Sequence, residues 1–234
     1  MATLLSITNR VLSRLREDTV AAVTDTAYAS LVAEFVADIA QEVNEAAVWS
    51  ALNHDVTVSV IAGTTAYTLS GVTQKSLLLV DQSDCPLSWM FADSSGNVGY
   101  QMNMISDNER LISYNANRGI TQDYPLDFSL TTTSAATGLQ LTLNPAPASN
   151  RYIRMRFNTP EAVLTPSTDG SVTIKVPEQV VYLGALFLAQ NERGEEIGEP
   201  GNIAQTRYIT TLADAKENEI RNQERAGVYD WYRA

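Results

Sequence analysis

The spacing of apolar residues changes period twice along this chain, and the two changes constrain the fold more than any single motif. Ile7, Val11, Leu12 and Leu15 sit at helical spacing within 6–16, and Leu31, Phe35, Ile39, Val43 and Ala47 recur every four residues after Asp25. Near residue 54 the period drops to two, where Val56, Val58 and Val60 alternate with Asp55, Thr57 and Ser59. Helical spacing returns after Pro177, first with Val180, Val181, Gly184, Ala185 and Leu188. It then continues through Ile203, Tyr208, Leu212, Ala215 and Ile220.

The first change predicts an amphipathic helix of about seven turns, N-capped by Asp25 and ending near Leu52–His54, with Glu34, Asp38, Glu42 and Glu45 on its other side. Pro177 suits a first helical turn, with Glu178 near the positive end of the helix dipole. A last helix is expected from about Asn202 to Arg225, stopped by Gly227.

Between the helical ends the pattern is that of short strands. Ala62-Gly-Thr-Thr65 reads as a turn returning the first strand into Ala66–Leu69, so a hairpin is the simplest expectation. Further runs are 76–80, 111–114, 126–130, 139–143 and 152–157, separated by turn chemistry at 93–97, 117–119 and 144–147. Arg154 and Arg156 share one face of the last of these strands. The expected fold is α+β. Residues 1–54 and 177–227 form a helical bundle beside a central antiparallel sandwich or barrel-like body at 55–176, and 228–234 form a C-terminal tail.

The 234 residues carry a net charge of −11. Residues 1–55 contribute −5 (8 acidic, 3 basic) and 177–225 contribute −4 (9 acidic, 5 basic), so nearly all of it lies on the helical ends. An acidic chain with no basic stripe opposes a role in gripping nucleic acid. The N-terminal segment lacks the pattern of a secretory signal, and no apolar run reaches the roughly 18 residues of a membrane span. The lone Cys85 cannot form an intrachain disulfide, which fits a reducing compartment.

Reactive chemistry is sparse. One histidine, His54, and one cysteine cannot build the usual zinc clusters, and His54 reads as a capping or surface residue. No G-x-S-x-G turn accompanies it, and the sequence has no calcium-loop pattern. The glycines of 193–201 are set among acidic residues without a lysine, so a helix–helix turn explains them better than a phosphate loop. Asp123 and Asp127 form a carboxylate pair of the kind a glycosidase uses, yet β-rich chains carry many such pairs. No catalytic, metal or cofactor site is expected.

Three stretches together resemble a known family. The first is the long acidic helix through Trp49 and Leu52, followed by Val56-Thr-Val-Ser-Val-Ile-Ala-Gly63 and Thr65-Ala-Tyr-Thr-Leu69. The second is Leu139-Gln-Leu-Thr-Leu-Asn-Pro-Ala-Pro147 with Tyr152-Ile-Arg-Met-Arg-Phe157, Pro160 and Leu164-Thr165. The third is Val176-Pro-Glu-Gln-Val, Leu183–Ala189, Glu192-Arg-Gly-Glu195 and the closing helix around Tyr208. Their order is similar to that of the tail tubular protein A type of head-to-tail adaptor in tailed bacteriophages, over most of the chain except 85–125. The resemblance implies a virion protein assembled in the host cytoplasm. It implies a ring, commonly of twelve copies, between the portal protein and a tail or nozzle protein. The helical part would face the portal and the β part the tail, with DNA passing through the channel and no covalent chemistry performed. Under it, Glu34, Asp38, Glu42 and Glu45 become candidates for lining that channel, where carboxylates repel phosphate. Tyr229, Trp231 and Tyr232 become candidates for a portal interface; the alternative is that they fold back on their own helices. A reading of a different class is a sandwich module binding host-surface carbohydrate through Trp89, Tyr100, Tyr114 and Tyr124.

Overall fold

The computed structural model describes residues 2–81, 85–96, 99–105, 121–122, 125, 127–132, 138–194, 199–226 and 228–229. The expected strand at 111–114, the turn at 117–119 and the helix stop at Gly227 lie outside the described residues. The chain divides into two compact units, Met1–Leu52 with Pro160–Asn222, and Asn53–Thr159 with Gln223–Ala234. The α+β class expected from the sequence is the class observed.

The first unit is helical. Its elements are α1 (Leu4–Arg14), α2 (Ala27–Ala46), a short α3 (Pro166–Asp169), α4 (Glu178–Glu192) and α5 (Glu199–Ala226), which continues past this unit's boundary. Thr3 caps α1 reciprocally: Ser6 N–H donates to Thr3 Oγ1 at 3.2 Å, and Thr3 N–H donates to Ser6 Oγ at 2.9 Å. Two further orphan donors of the first turn, Leu4 N–H and Leu5 N–H, reach the carbonyls of Val172 and Gly170 at 3.1 and 2.9 Å.

The cap of α2 is Thr26, whose Oγ1 accepts from Ala29 N–H at 3.0 Å. Asp25, expected as that cap, instead closes the preceding turn by accepting from the N–H groups of Ala21 and Ala22, both at 2.8 Å. The helix is also shorter than expected, 20 residues or about five and a half turns. The indole N–H of Trp49 donates to Val43 O at 2.7 Å and so satisfies one of the last helical carbonyls, while Ala47 turns extended.

The buried face of α2 is Ala29, Val32, Ala33, Val36, Ile39, Ala40 and Val43. Leu31 and Phe35, expected at its centre, are only half buried because alanine and valine let the neighbouring helices come closer on the adjacent side. That face packs with Ile7, Val11 and Leu12 of α1, and with Val180, Val181, Ala185 and Ala189 of α4. Leu164, Ile174 and Val176 join the same core. Pro177 is the N-cap of α4, one position before the place expected for it. Gly184 lies where a Cβ would stand 2.7 Å from Ile39 Cγ2 and 3.0 Å from Tyr208 Cε2, so its missing side chain sets how closely α2, α4 and α5 pack. On α5, Ala204 and Tyr208 are buried, but Ile203 and Ile220, expected in the core, are 48% and 56% exposed.

The second unit is built of strands. The longer ones are β1 (Asn53–Val60), β5 (Ser88–Phe91), β9 (Asp127–Thr132), β10 (Leu139–Asn144) and β12 (Arg151–Asn158). The short ones are β2 (Ala66–Thr68), β3 (Leu77–Leu78), β4 (Val80–Asp81), β6 (Gly99–Gln101), β7 (Asn103–Met104), β8 (Thr121–Gln122), β11 (Ala146–Pro147) and β13 (Val228–Tyr229). One sheet has the order β1-β12-β5-β6 with β3 added on β12, and the other runs β2-β10-β9-β7. Two small pairs, β11-β8 and β13-β4, complete the pairings among the described residues. Most are antiparallel; β7 with β9 and β11 with β8 are parallel. Inward side chains of both sheets share one core, with Met90, Ile153, Met155 and Phe157 from the first meeting Phe128, Leu141 and Leu143 from the second. Among the described residues the arrangement is an open two-sheet sandwich, without a closed barrel.

The expected hairpin between β1 and β2 does not form. β1 pairs over its full length with β12, from Asn53 opposite Asn158 to Val60 opposite Arg151, while β2 pairs with β10 in the other sheet. The connection is a corner. The Tyr67 hydroxyl donates toward Ile61 O (3.0 Å) and Thr64 O (2.9 Å) and accepts from Ile61 N–H (3.0 Å), and Gly63 turns at φ +76. An eight-residue ladder with β12 satisfies more of the β1 backbone than a three-residue return strand can.

Candidate interaction surfaces

Helical geometry places Glu34, Asp38, Glu42 and Glu45 within about 80° of one another around α2, and all four are exposed. The structure thus gathers the four carboxylates on one stripe, opposite the buried face. One member is held: Glu42 Oε1 accepts a hydrogen bond from the Tyr208 hydroxyl at 2.8 Å, tying α2 to α5. Burial, then that hydrogen bond and the carboxylate charge, push the Tyr208 hydroxyl far above the usual tyrosine range. Glu45 accepts a longer bond from Gln41 Nε2 at 3.4 Å.

Of the C-terminal aromatic candidates, Tyr229 lies in β13, its backbone paired with Val80 of β4. Trp231 and Tyr232 lie outside the described residues.

The remaining sequence candidates that fall among the described residues lie apart from one another. His54 is a half-buried β1 residue opposite Phe157. Asp127 stands opposite Asn144 on β9, and its expected partner Asp123 lies outside the described residues. In the aromatic set, Trp89 faces outward beside Arg154, while Tyr100 is paired with the fully buried Met90 and packs against the core on the opposite side of the sheet. Those two cannot share a platform, and Tyr114 and Tyr124 lie outside the described residues. Among the described residues no three His, Cys, Asp or Glu side chains are grouped to hold a metal ion, and no helix is long and apolar enough to cross a membrane. Where the glycine cluster begins, Gly194 ends α4 at φ +74, as a helix–helix turn requires.

Two features went unread in the sequence. Arg193 donates to Leu15 O at 2.9 Å, pairs with Glu17 and lies 5.4 Å over the Tyr28 ring, clamping the end of α4 to the end of α1. The outer face of the first sheet collects residues from three strands. Register sets Tyr152 beside Phe91 and Arg154 beside Trp89, while Arg156 neighbours Asp55 at 3.8 Å. The sequence showed only that Arg154 and Arg156 share a strand face; Tyr152 joins them by the same alternation, and Trp89 and Phe91 only through pairing.

This two-unit α+β chain carries an exposed carboxylate stripe on α2 and an arginine–aromatic face on the first sheet. The chain belongs to the SU10 adaptor protein family of bacteriophages, whose family model matches residues 2–232. It is therefore a phage adaptor structural protein, a virion component that associates with other head or tail components. No curated protein matches the chain.

Proposed function

We propose that this protein is a head-to-tail adaptor, of the tail tubular protein A type, which joins the portal protein to a tail or nozzle protein as a ring of twelve copies. The family match over 2–232 is the observation that carries this reading. The helical part faces the portal and the β part the tail. DNA moves through the channel past Glu34, Asp38, Glu42 and Glu45, whose clustering on one exposed stripe supports that role. Such a lining repels phosphate and keeps DNA sliding, and the protein itself performs no catalysis. Tyr229, Trp231 and Tyr232 anchor the C-terminal arm on the portal, as buried aromatics do at interfaces.

The test is assembly with purified portal. Twelve copies of the 25.6 kDa chain form a ring of about 307 kDa, added to the portal mass on co-sedimentation. Deleting 228–234 removes the β13–β4 pair but no part of the two larger sheets or of the helices, and is expected to weaken portal binding in a chain that keeps a native circular dichroism spectrum. Chains that fail to join the portal under any condition refute the reading, and full binding by the truncated chain refutes the role of the arm.

A further inference from the structure

The outer face of the first sheet keeps aromatic and charged side chains half buried or exposed. On β12 the side chains of Ile153, Met155 and Phe157 point into the core, which leaves Tyr152, Arg154 and Arg156 on the other side. Antiparallel register brings Phe91 and Trp89 of β5 alongside them, and all three aromatics are half buried, so part of each ring stays open to solvent. The Phe91 ring is held in place: a Cβ on Gly99, its cross-strand neighbour, would stand 2.4 Å from Phe91 Cε1, so the ring lies across that glycine. The Arg154 guanidinium sits 5.5 Å over the same ring, is exposed, and makes no ion pair among the described residues. Arg156 is only loosely neutralised, its side chain 47% exposed and 3.8 Å from an Asp55 that is 51% exposed.

A guanidinium left without a carboxylate among the described residues, on a chain of net charge −11, is a charge awaiting a complement. Trp, Tyr, Phe and Arg are the residues enriched where proteins meet, and an arginine fork prefers a carboxylate. Nucleic acid fits less well. Two guanidiniums neutralise at most two phosphates, and the field of the whole chain opposes a polyanion.

From this geometry we infer that the outer face formed by Trp89, Phe91, Tyr152, Arg154 and Arg156 is a docking surface for a carboxylate-bearing protein surface of another chain. The inference rests on the adaptor reading, which makes that partner the tail component received by the β part.

The experiment uses the full-length chain assembled on portal and tails purified from the same phage. The variants are Arg154→Glu with Arg156→Glu, and separately Trp89→Ala, each checked for a native circular dichroism spectrum. The expected result is unchanged portal co-sedimentation with tail attachment weakened roughly tenfold or more in each variant. Attachment of the wild type should also weaken with salt, and more steeply than that of the double charge variant. Folded variants that hold tails as tightly as the wild type overturn the inference. So does loss of ring mass, which assigns the face to contacts between copies, and so does binding of a 20-nucleotide DNA, single-stranded or duplex, that the variants lose. If the wild type binds neither portal nor tail, it is the adaptor reading that fails.

Discussion

Replacing Gly184 with alanine tests the idea that a missing side chain sets the spacing of the helical core. An added Cβ stands 2.7 Å from Ile39 Cγ2, 3.0 Å from Ile39 Cδ1 and 3.0 Å from Tyr208 Cε2. Two effects oppose each other. Alanine in a helix interior is favoured over glycine by about 1 kcal/mol. Overpacking a filled core costs about 1–3 kcal/mol. Contacts this short on a branched methyl in a fully packed site put the cost near the upper part of that range. The net expectation is a loss of about 1–2 kcal/mol. Truncating Ile39 to alanine costs about 2–5 kcal/mol by itself, but it removes both of the Ile39 contacts. In that background only the 3.0 Å approach to Tyr208 Cε2 remains, so Gly184→Ala should lose most of its penalty and stabilise by up to about 1 kcal/mol, leaving a coupling of about 1–3 kcal/mol between the two positions. Urea unfolding followed by far-UV circular dichroism at the helical band measures all four chains of the cycle. Additive effects, or a Gly184→Ala chain more stable than the wild type in the native background, refute the close-approach account.

Other outcomes follow from single contacts. Trp49→Phe keeps most of a side chain that is 2% exposed but deletes the donor to Val43 O, and should cost about 1–3 kcal/mol in the same urea assay. Tyr208 has its titration raised in the folded chain, so the protonated hydroxyl stabilises fully below the unfolded value of about 10, and that contribution is lost as pH rises beyond it. The helical unit should therefore lose stability from pH 10 upward, and Tyr208→Phe should flatten that decline; an identical decline in the variant refutes the assignment. Replacing Glu34, Asp38, Glu42 and Glu45 together with glutamine should slow DNA release in an ejection assay, most clearly at low salt, and an unchanged rate removes the channel role.

Much of the fold was legible because the signals are local. Helix and strand announce themselves through side-chain periods of 3.6 and 2, which depend only on the chain's own geometry. That is why α1, α2, α4, α5, β1, β10 and β12 lie close to where the spacing puts them. The acidic stripe was equally legible, since four positions on one helix share a side whatever that helix packs against. The cap of α2 was misread by one residue because Asp25 and Thr26 are both good caps, and only the turn at Ala21 and Ala22 decides which carboxylate or hydroxyl is free to act. The face of α2 was misread for a similar reason. Leu31 and Phe35 are the larger side chains, but the smaller Val32, Ala33 and Val36 admit closer neighbours.

By itself the sequence determined the α+β class, the order of helical and strand segments, and the concentration of negative charge on the helices. The tertiary structure decided which strands meet: β1 ladders with β12, about a hundred residues away, and leaves β2 to the other sheet. It also decided that Trp89 and Phe91 stand beside Tyr152 and Arg154. The physical reason is that a strand offers the same backbone donors and acceptors to any edge. Its partner is therefore selected by which long-range pairing satisfies the most hydrogen bonds while burying Ile153, Met155 and Phe157 together, a sum over distant residues that no local pattern contains.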